Sequence, residues 1–137
     1  MQLKRIHSEE SGFSLIELLV VMLVIGVLAA IALPNFLGQA TKGRDADAKS
    51  DARNMVSQLE SCFVDQNTYV GTGPAGTCLS SNTGLTIGTG LGQVQITNPT
   101  ASGYTVVAKS QSGSTFTVVR NATGMTRSCT GCAGGSW

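Results

Sequence analysis

Few side chains in this sequence could carry chemistry, and the most unusual is Glu17. Phe13, Leu15 and Ile16 precede it, and Leu18 to Leu33 follow as sixteen residues without a polar side chain. A carboxylate at the centre of a membrane helix costs about 2.5–3.5 kcal/mol, and less near an end, so it calls for a partner cation. One reading places Glu17 at headgroup level, in the first helical turn, where it favours the helix dipole and faces water. The other begins from a cut after Gly12. The new α-amino group of Phe13 would lie one turn from Glu17, and the amino group of a neighbouring copy could pair with that carboxylate. Gly12 has no side chain, so the bond after it fits a narrow proteolytic site.

The remaining reactive residues form no catalytic set. The single histidine, His7, precedes Gly12, so no Ser-His or Cys-His pair forms once that segment is removed. No GxxxxGK[ST] loop occurs, and Gly88, Gly90 and Gly92 stand in a polar loop rather than at a strand-to-helix turn. Asp45, Asp47, Asp51, Glu60 and Asp65 all lie on or near one helix, with Asp47 and Asp51 sharing an exposed face. Asn121-Ala122-Thr123 matches a glycosylation sequon and reads as turn chemistry. Cys62, Cys78, Cys129 and Cys132 allow three pairings. Cys62–Cys78 with Cys129–Cys132 is preferred, and Cys62–Cys129 with Cys78–Cys132 stays open. A zinc site would want two close cysteine pairs and has one. A redox Cys-x-x-C would want a thioredoxin-like βαβ setting, which is absent. The expectation is a protein without catalytic residues, metal or cofactor, and no enzyme.

Composition agrees. The chain has 137 residues, 12% of them charged, with nine Lys+Arg against eight Asp+Glu and a net charge of +1. Phosphate-binding proteins normally carry a clear basic excess, so no nucleic-acid partner is evident.

These residues need elements to hold them. Phe13 to Leu33 is 21 residues, roughly 31 Å as a helix, which matches a bilayer core of about 30 Å. Lys4 and Arg5 before it favour a cytoplasmic N-terminus. Pro34 removes a backbone donor and bends or breaks the helix, and Gly38 and Gly43 lower helix propensity beyond it. Past Thr41 the pattern becomes amphipathic. Ala48, Ala52, Met55, Val56, Leu59, Cys62 and Phe63 form one helical stripe, while Arg44, Asp45, Lys49, Arg53, Asn54 and Gln58 face solvent. The helix is expected to run to about Val64. Gly71 to Gly92 reads as a surface loop. Four strands follow, at Val94–Thr97, Tyr104–Lys109, Thr115–Arg120 and Met125–Cys129, with turns at Gln111–Gly113 and Asn121–Gly124. The fold class is α+β: a long N-terminal helix, half membrane-spanning and half amphipathic, packed on a small antiparallel sheet.

Gly12-Phe13-Ser14-Leu15-Ile16-Glu17, a short basic leader before it and the apolar run after it together resemble the prepilin signature of type IV pilins and pseudopilins. The resemblance covers about the first 37 residues, and Pro34 falls where many pilins have a helix-bending proline. It implies a leader at 1–12, a transmembrane and filament-core helix at 13–37, and a pilin head domain at 38–137. It further implies cleavage between Gly12 and Phe13 by a prepilin peptidase, N-methylation of Phe13, and a role for Glu17 in assembly. The implied function is a structural subunit of a type IV pilus, with a pseudopilin of type II secretion or DNA uptake as the alternative. Implied partners are further copies, other pilins and an assembly platform in the membrane. The implied location is the inner membrane as a single-pass precursor, then an extracellular pilus. The main secretion pseudopilin of the family holds calcium through C-terminal acids, and this chain has no Asp or Glu after Asp65.

Overall fold

The computed structural model describes residues 12–71, 83–132 and 137. The element order is one helix, α1 (Leu15–Gln66), then β1 (Gln93–Thr97), β2 (Tyr104–Lys109), β3 (Thr115–Asn121) and β4 (Gly124–Thr130). Two compact units divide between Gly38 and Gln39.

In the first unit, Ser14 starts α1 as its cap. Its carbonyl accepts from the amides of Glu17 (3.0 Å) and Leu18 (3.2 Å), and its own amide donates to Glu17 Oε2 at 2.9 Å. This is the return arm of a capping box, which satisfies a backbone donor that the helix leaves free. The helix continues through Pro34 without a break. Asn35 Nδ2 donates to the Ile31 carbonyl at 3.3 Å, one residue beyond Ala30, whose carbonyl is the one that would accept from position 34 were it not a proline.

In the second unit, α1 ends at Asn67, whose φ of 54° is left-handed and whose amide bonds the Phe63 carbonyl at 2.7 Å. Asparagine tolerates that conformation, so it closes the helix as a C-cap. The end comes two residues past the expected Val64. The sheet order is β1-β2-β3-β4, all antiparallel. Alternation sends Tyr104, Val106 and Ala108 of β2, and Phe116 and Val118 of β3, into the core. Against them lie Ala48, Ala52, Met55 and Leu59 from α1, with Val94 and Tyr69. Val56 and Phe63, the other stripe positions, pack partly buried at its margin.

Turn chemistry sets the register. Asn121 Oδ1 accepts from the Thr123 amide, the Thr123 hydroxyl and the Gly124 amide at 2.8–3.0 Å, closing β3 onto β4 with Asn121 opposite Gly124. At the β2–β3 turn, Gly113 has φ of 97° and the Ser110 amide bonds the Ser114 carbonyl at 2.8 Å. Gly103 is required by space, because a Cβ there would strike the Arg120 carbonyl on the facing strand. The outer edge of β1 is partly covered by a parallel bridge from Ile87 to Val94, which blunts an open edge. Of the expected Gly71–Gly92 loop, residues 72–82 lie outside the described residues.

Phe116 is fully buried between α1 and the sheet. Phe116→Ala is expected to cost about 3–5 kcal/mol of head-domain stability, measured by denaturant titration in detergent; a loss below about 1 kcal/mol would contradict this packing.

Candidate functional site

The N-terminal half of α1 exposes its apolar side chains on every side. Leu15 is 81% exposed, Met22 72% and Phe36 70%, with the other large apolar residues of the run also open. The stretch is long and apolar enough to cross a membrane, and none of it is buried. Glu17 lies in a shallow hollow with Phe13, Ile16, Val20 and Val21 around it. Its carboxylate is held by its own helix through Ser14. Gly12 and Phe13, the residues on either side of the expected cut, are both exposed.

The head domain carries a polar seam that sequence patterning does not reveal. Glu60 sits on α1 beside the core. Its Oε1 accepts from Tyr104 Oη at 2.9 Å, and its Oε2 accepts from Tyr69 Oη at 3.0 Å. Arg120 Nη1 approaches Oε1 at 3.5 Å. One carboxylate thus joins the helix, the segment after it, β2 and β3. Burial first, then the hydrogen bond to Glu60 and the charge on Glu60, push the Tyr104 hydroxyl well above the usual tyrosine range. Tyr69 is raised for the same first reasons. Its ring stacks on Phe63 at 4.5 Å and meets Tyr104 edge-on at 4.8 Å.

Two members of the expected solvated face make contacts across the fold. Gln58 Nε2 donates to the Thr83 carbonyl at 2.9 Å, and the Ser112 hydroxyl bonds Asp45 Oδ1. Asp45 therefore ties the β2–β3 turn to the helix. Burial opposes its ionisation, but hydrogen bonds from Ser112 and Ser110 and the Lys49 charge outweigh it, so its pKa is lowered. The helix pattern marks Asp45 and Gln58 as polar; only the fold supplies partners from distant segments.

Cys129 and Cys132 are joined, with Cα atoms 6.0 Å apart, so Cys129 is not paired with Cys62. Cys62 is also in a disulfide. Its expected partner, Cys78, lies outside the described residues. Among the described residues no group of three or more His, Cys, Asp or Glu side chains is arranged to hold a metal.

A helix with an apolar N-terminal half and an amphipathic half seated on a four-stranded antiparallel sheet is a pilin-like α+β fold. Residues 8–33 match the family model described as the prokaryotic N-terminal methylation motif. Residues 34–132 match the model described as type IV minor pilin ComP, DNA uptake sequence receptor. The chain belongs to this type IV minor pilin family. Among individual proteins, it is 35% identical over 69 residues to the type IV major pilin protein PilA of Myxococcus xanthus, covering 50% of this chain and 31% of PilA. It is 36% identical over 63 residues to the type II secretion system core protein G of Pectobacterium carotovorum, covering 46% and 40%. It is 36% identical over 58 residues to the type IV major fimbrial protein FimA of Dichelobacter nodosus, covering 42% and 37%. Each match spans less than half the length of the relative.

The tyrosine seam sets a pH dependence. The folded Tyr104 keeps its proton above the unfolded value of about 10, so its contribution to stability is full below about pH 10 and is lost as pH rises through the folded value. The thermal midpoint is expected to fall on the alkaline side of pH 10, and Tyr104→Phe to flatten that fall. An unchanged alkaline slope in the variant would contradict the assignment.

Proposed function

We propose that this chain is a structural subunit of a type IV pilus that polymerises through its N-terminal helix. A prepilin peptidase cuts between Gly12 and Phe13, Phe13 is N-methylated, and Leu15–Leu33 first anchor the precursor in the inner membrane. The observation that carries this reading is the exposure of the whole apolar half of α1 in a chain with the prepilin motif. Such a surface is stable in lipid or against equally apolar helices. Gly26, Ala29, Ala30 and Ala32 permit close helix approach there. On assembly Glu17 exchanges the Ser14 amide for the Phe13 amino group of a neighbour. The head domain lies outside the cytoplasm, where its disulfides persist, and an assembly platform in the membrane supplies the polymerisation machinery.

A second reading, a filament subunit that contacts DNA during uptake, is favoured by the description of the matching family model. Charge placement supports it: Lys109, Arg120 and Arg127 follow Asp65, and no acidic side chain does. The near-zero net charge conceals that asymmetry. The similarity to core protein G supports the pseudopilin alternative, which the lack of acids after Asp65 weakens.

Intact-mass spectrometry on unreduced material sheared from cells is expected to give a chain starting at Phe13, one methyl heavier and four hydrogens lighter than the bare polypeptide with its four cysteines. An uncut chain starting at Met1 would remove the prepilin reading, and mature protein found only in membranes would favour the pseudopilin. Glu17→Leu should insert and be cleaved but yield at least tenfold fewer filaments; normal filament yield would sink the pairing of Glu17 with the amino group.

A further inference from the structure

Two patches of like charge stand on opposite flanks of the amphipathic half of α1. On the first, the Arg53 guanidinium lies 5.3 Å from the Trp137 ring centre and that of Arg127 lies 5.5 Å from it. Trp137 Nε1 donates to the Ser128 carbonyl at 3.0 Å, which holds the indole against β4. The two arginines also line a cavity of about 140 Å³ with Val56, Ser57, Val118 and Met125. No acidic side chain lines it, and neither arginine forms an ion pair among the described residues. Glu60, about two turns further along this flank, is already held by Tyr69, Tyr104 and Arg120. On the second flank, Asp47 and Asp51 line a shallow hollow one helical turn apart. Arg44 and Lys109 border the same hollow, but neither acid forms an ion pair among the described residues. The Asp51 carboxyl is pushed up, by burial first and then by the Asp47 charge.

The separation of the two patches follows from helix and sheet together. At about 3.6 residues per turn, positions 49 and 53 point about 200° away from positions 47 and 51. The buried stripe of Ala48, Ala52, Met55 and Leu59 lies between them. The acidic hollow reaches Gly92 and Lys109, beside β1, whereas the arginine cavity reaches Met125 and Arg127 of β4. β1 and β4 are the two edges of the sheet. Each patch is costly alone, because like charges side by side repel, and the indole face offsets only part of the cost for the arginines. Each is also the complement of the other, yet one copy cannot bring its own two together. A pair of copies joins one arginine flank to one acidic flank and leaves the other two open. Such a contact is head-to-tail and propagates, rather than closing on a two-fold axis. Lys49 stands on the arginine flank too, but its charge acts on Asp45 and its ammonium lies 5.1 Å from the Phe116 ring, so the arginines carry the contact.

We propose that the flank formed by Arg53, Trp137 and Arg127 in one copy docks the Asp47 and Asp51 flank of the next copy, head to tail. The contact rests on the filament reading above for its setting; the choice of a second copy stands on charge complementarity. Guanidinium forks match the paired oxygens of a carboxylate, and the Trp137 indole fixes the spacing of the two forks. The apolar Val56, Val118 and Met125 behind them exclude water and strengthen the attraction. The contact gives a polymer what its apolar helices lack. Burial of apolar surface is non-directional, whereas charge pairs at fixed positions along α1 select one offset between neighbours.

Self-association of full-length protein in detergent would be followed by analytical sedimentation at low and high salt. Wild type is compared with Arg53→Glu/Arg127→Glu, with Asp47→Lys/Asp51→Lys, with the variant carrying all four changes and with an equimolar mixture of the two double variants. Lys42→Gln serves as an exposed control. The wild type is expected to form species beyond the dimer that salt disperses. Each double variant should associate at least tenfold more weakly, and the mixture and the four-change variant should return to within about threefold of wild type. That return also shows that the variants fold. A wild type that stays monomeric at low salt, or a double variant that associates normally, would overturn the contact. Association that stops at a dimer would overturn its head-to-tail form. Weakening that neither the mixture nor the four-change variant reverses would give the arginines a different acidic partner and overturn the second copy. Filament yield in material sheared from cells separates this contact from the pilus reading. Filaments indifferent to both double variants would overturn the contact and leave the pilus standing. Charge-dependent association in a chain that yields no filaments would uphold the contact and remove the pilus.

Discussion

The head domain depends on a seam between α1 and the sheet. Ala48 and Ala52 are small, so the helix backbone can approach β2 and β3, and Met55 and Leu59 then fill the space beside Phe116, Val106 and Val118. Close approach brings Glu60 and Asp45 within reach of groups on the strands. A bulkier residue at Ala52, which is fully buried, would lift the helix and strain the polar contacts along with the apolar ones. Packing and hydrogen bonding here are therefore one constraint.

That constraint explains how a small domain tolerates a carboxylate beside its core. Glu60 has two tyrosine hydroxyls and a guanidinium as partners, so the cost of desolvation is met locally. Each partner comes from a different segment, which makes the network specific for this arrangement of helix and strands. Asp45 does the same at the other end of the amphipathic half, where Ser112 anchors the β2–β3 turn. The sheet is tied to the helix at two points about four turns apart, with the apolar seam between them.

The two halves of α1 show one element meeting two solvents. The C-terminal half buries a stripe and keeps charges outside it. The N-terminal half is apolar all round and capped by its own Glu17. Membership of the type IV minor pilin family agrees with both halves. Charge is likewise unequal along the chain: Glu17, Asp45, Asp47, Asp51, Glu60 and Asp65 lie on α1, and the sheet carries only cations. A balanced total thus coexists with a flank where Lys49, Arg53 and Arg127 gather around Phe116 and Trp137.

By itself the sequence determined what is periodic or local. The uninterrupted run from Leu18 to Leu33 demands an apolar setting at any tertiary structure. The stripe from Ala48 to Phe63 and the alternation in Tyr104–Lys109 declare helix and strand because burial repeats every turn or every second residue. Asn121 to Gly124 declares its turn because the hydrogen bonds are between near neighbours. Only the tertiary structure decided which polar residues turn inward. Glu60 and Gln58 look alike on the helix surface, yet Tyr104, a partner of Glu60, lies 44 positions away and Thr83, the partner of Gln58, lies 25 positions away. The bond between Cys129 and Cys132 was one of several pairings until the β4 end brought those residues together. The Trp137 cluster was invisible for the same reason. Its members come from α1, β3, β4 and residue 137, and contacts between segments so far apart leave no period for a sequence pattern to carry.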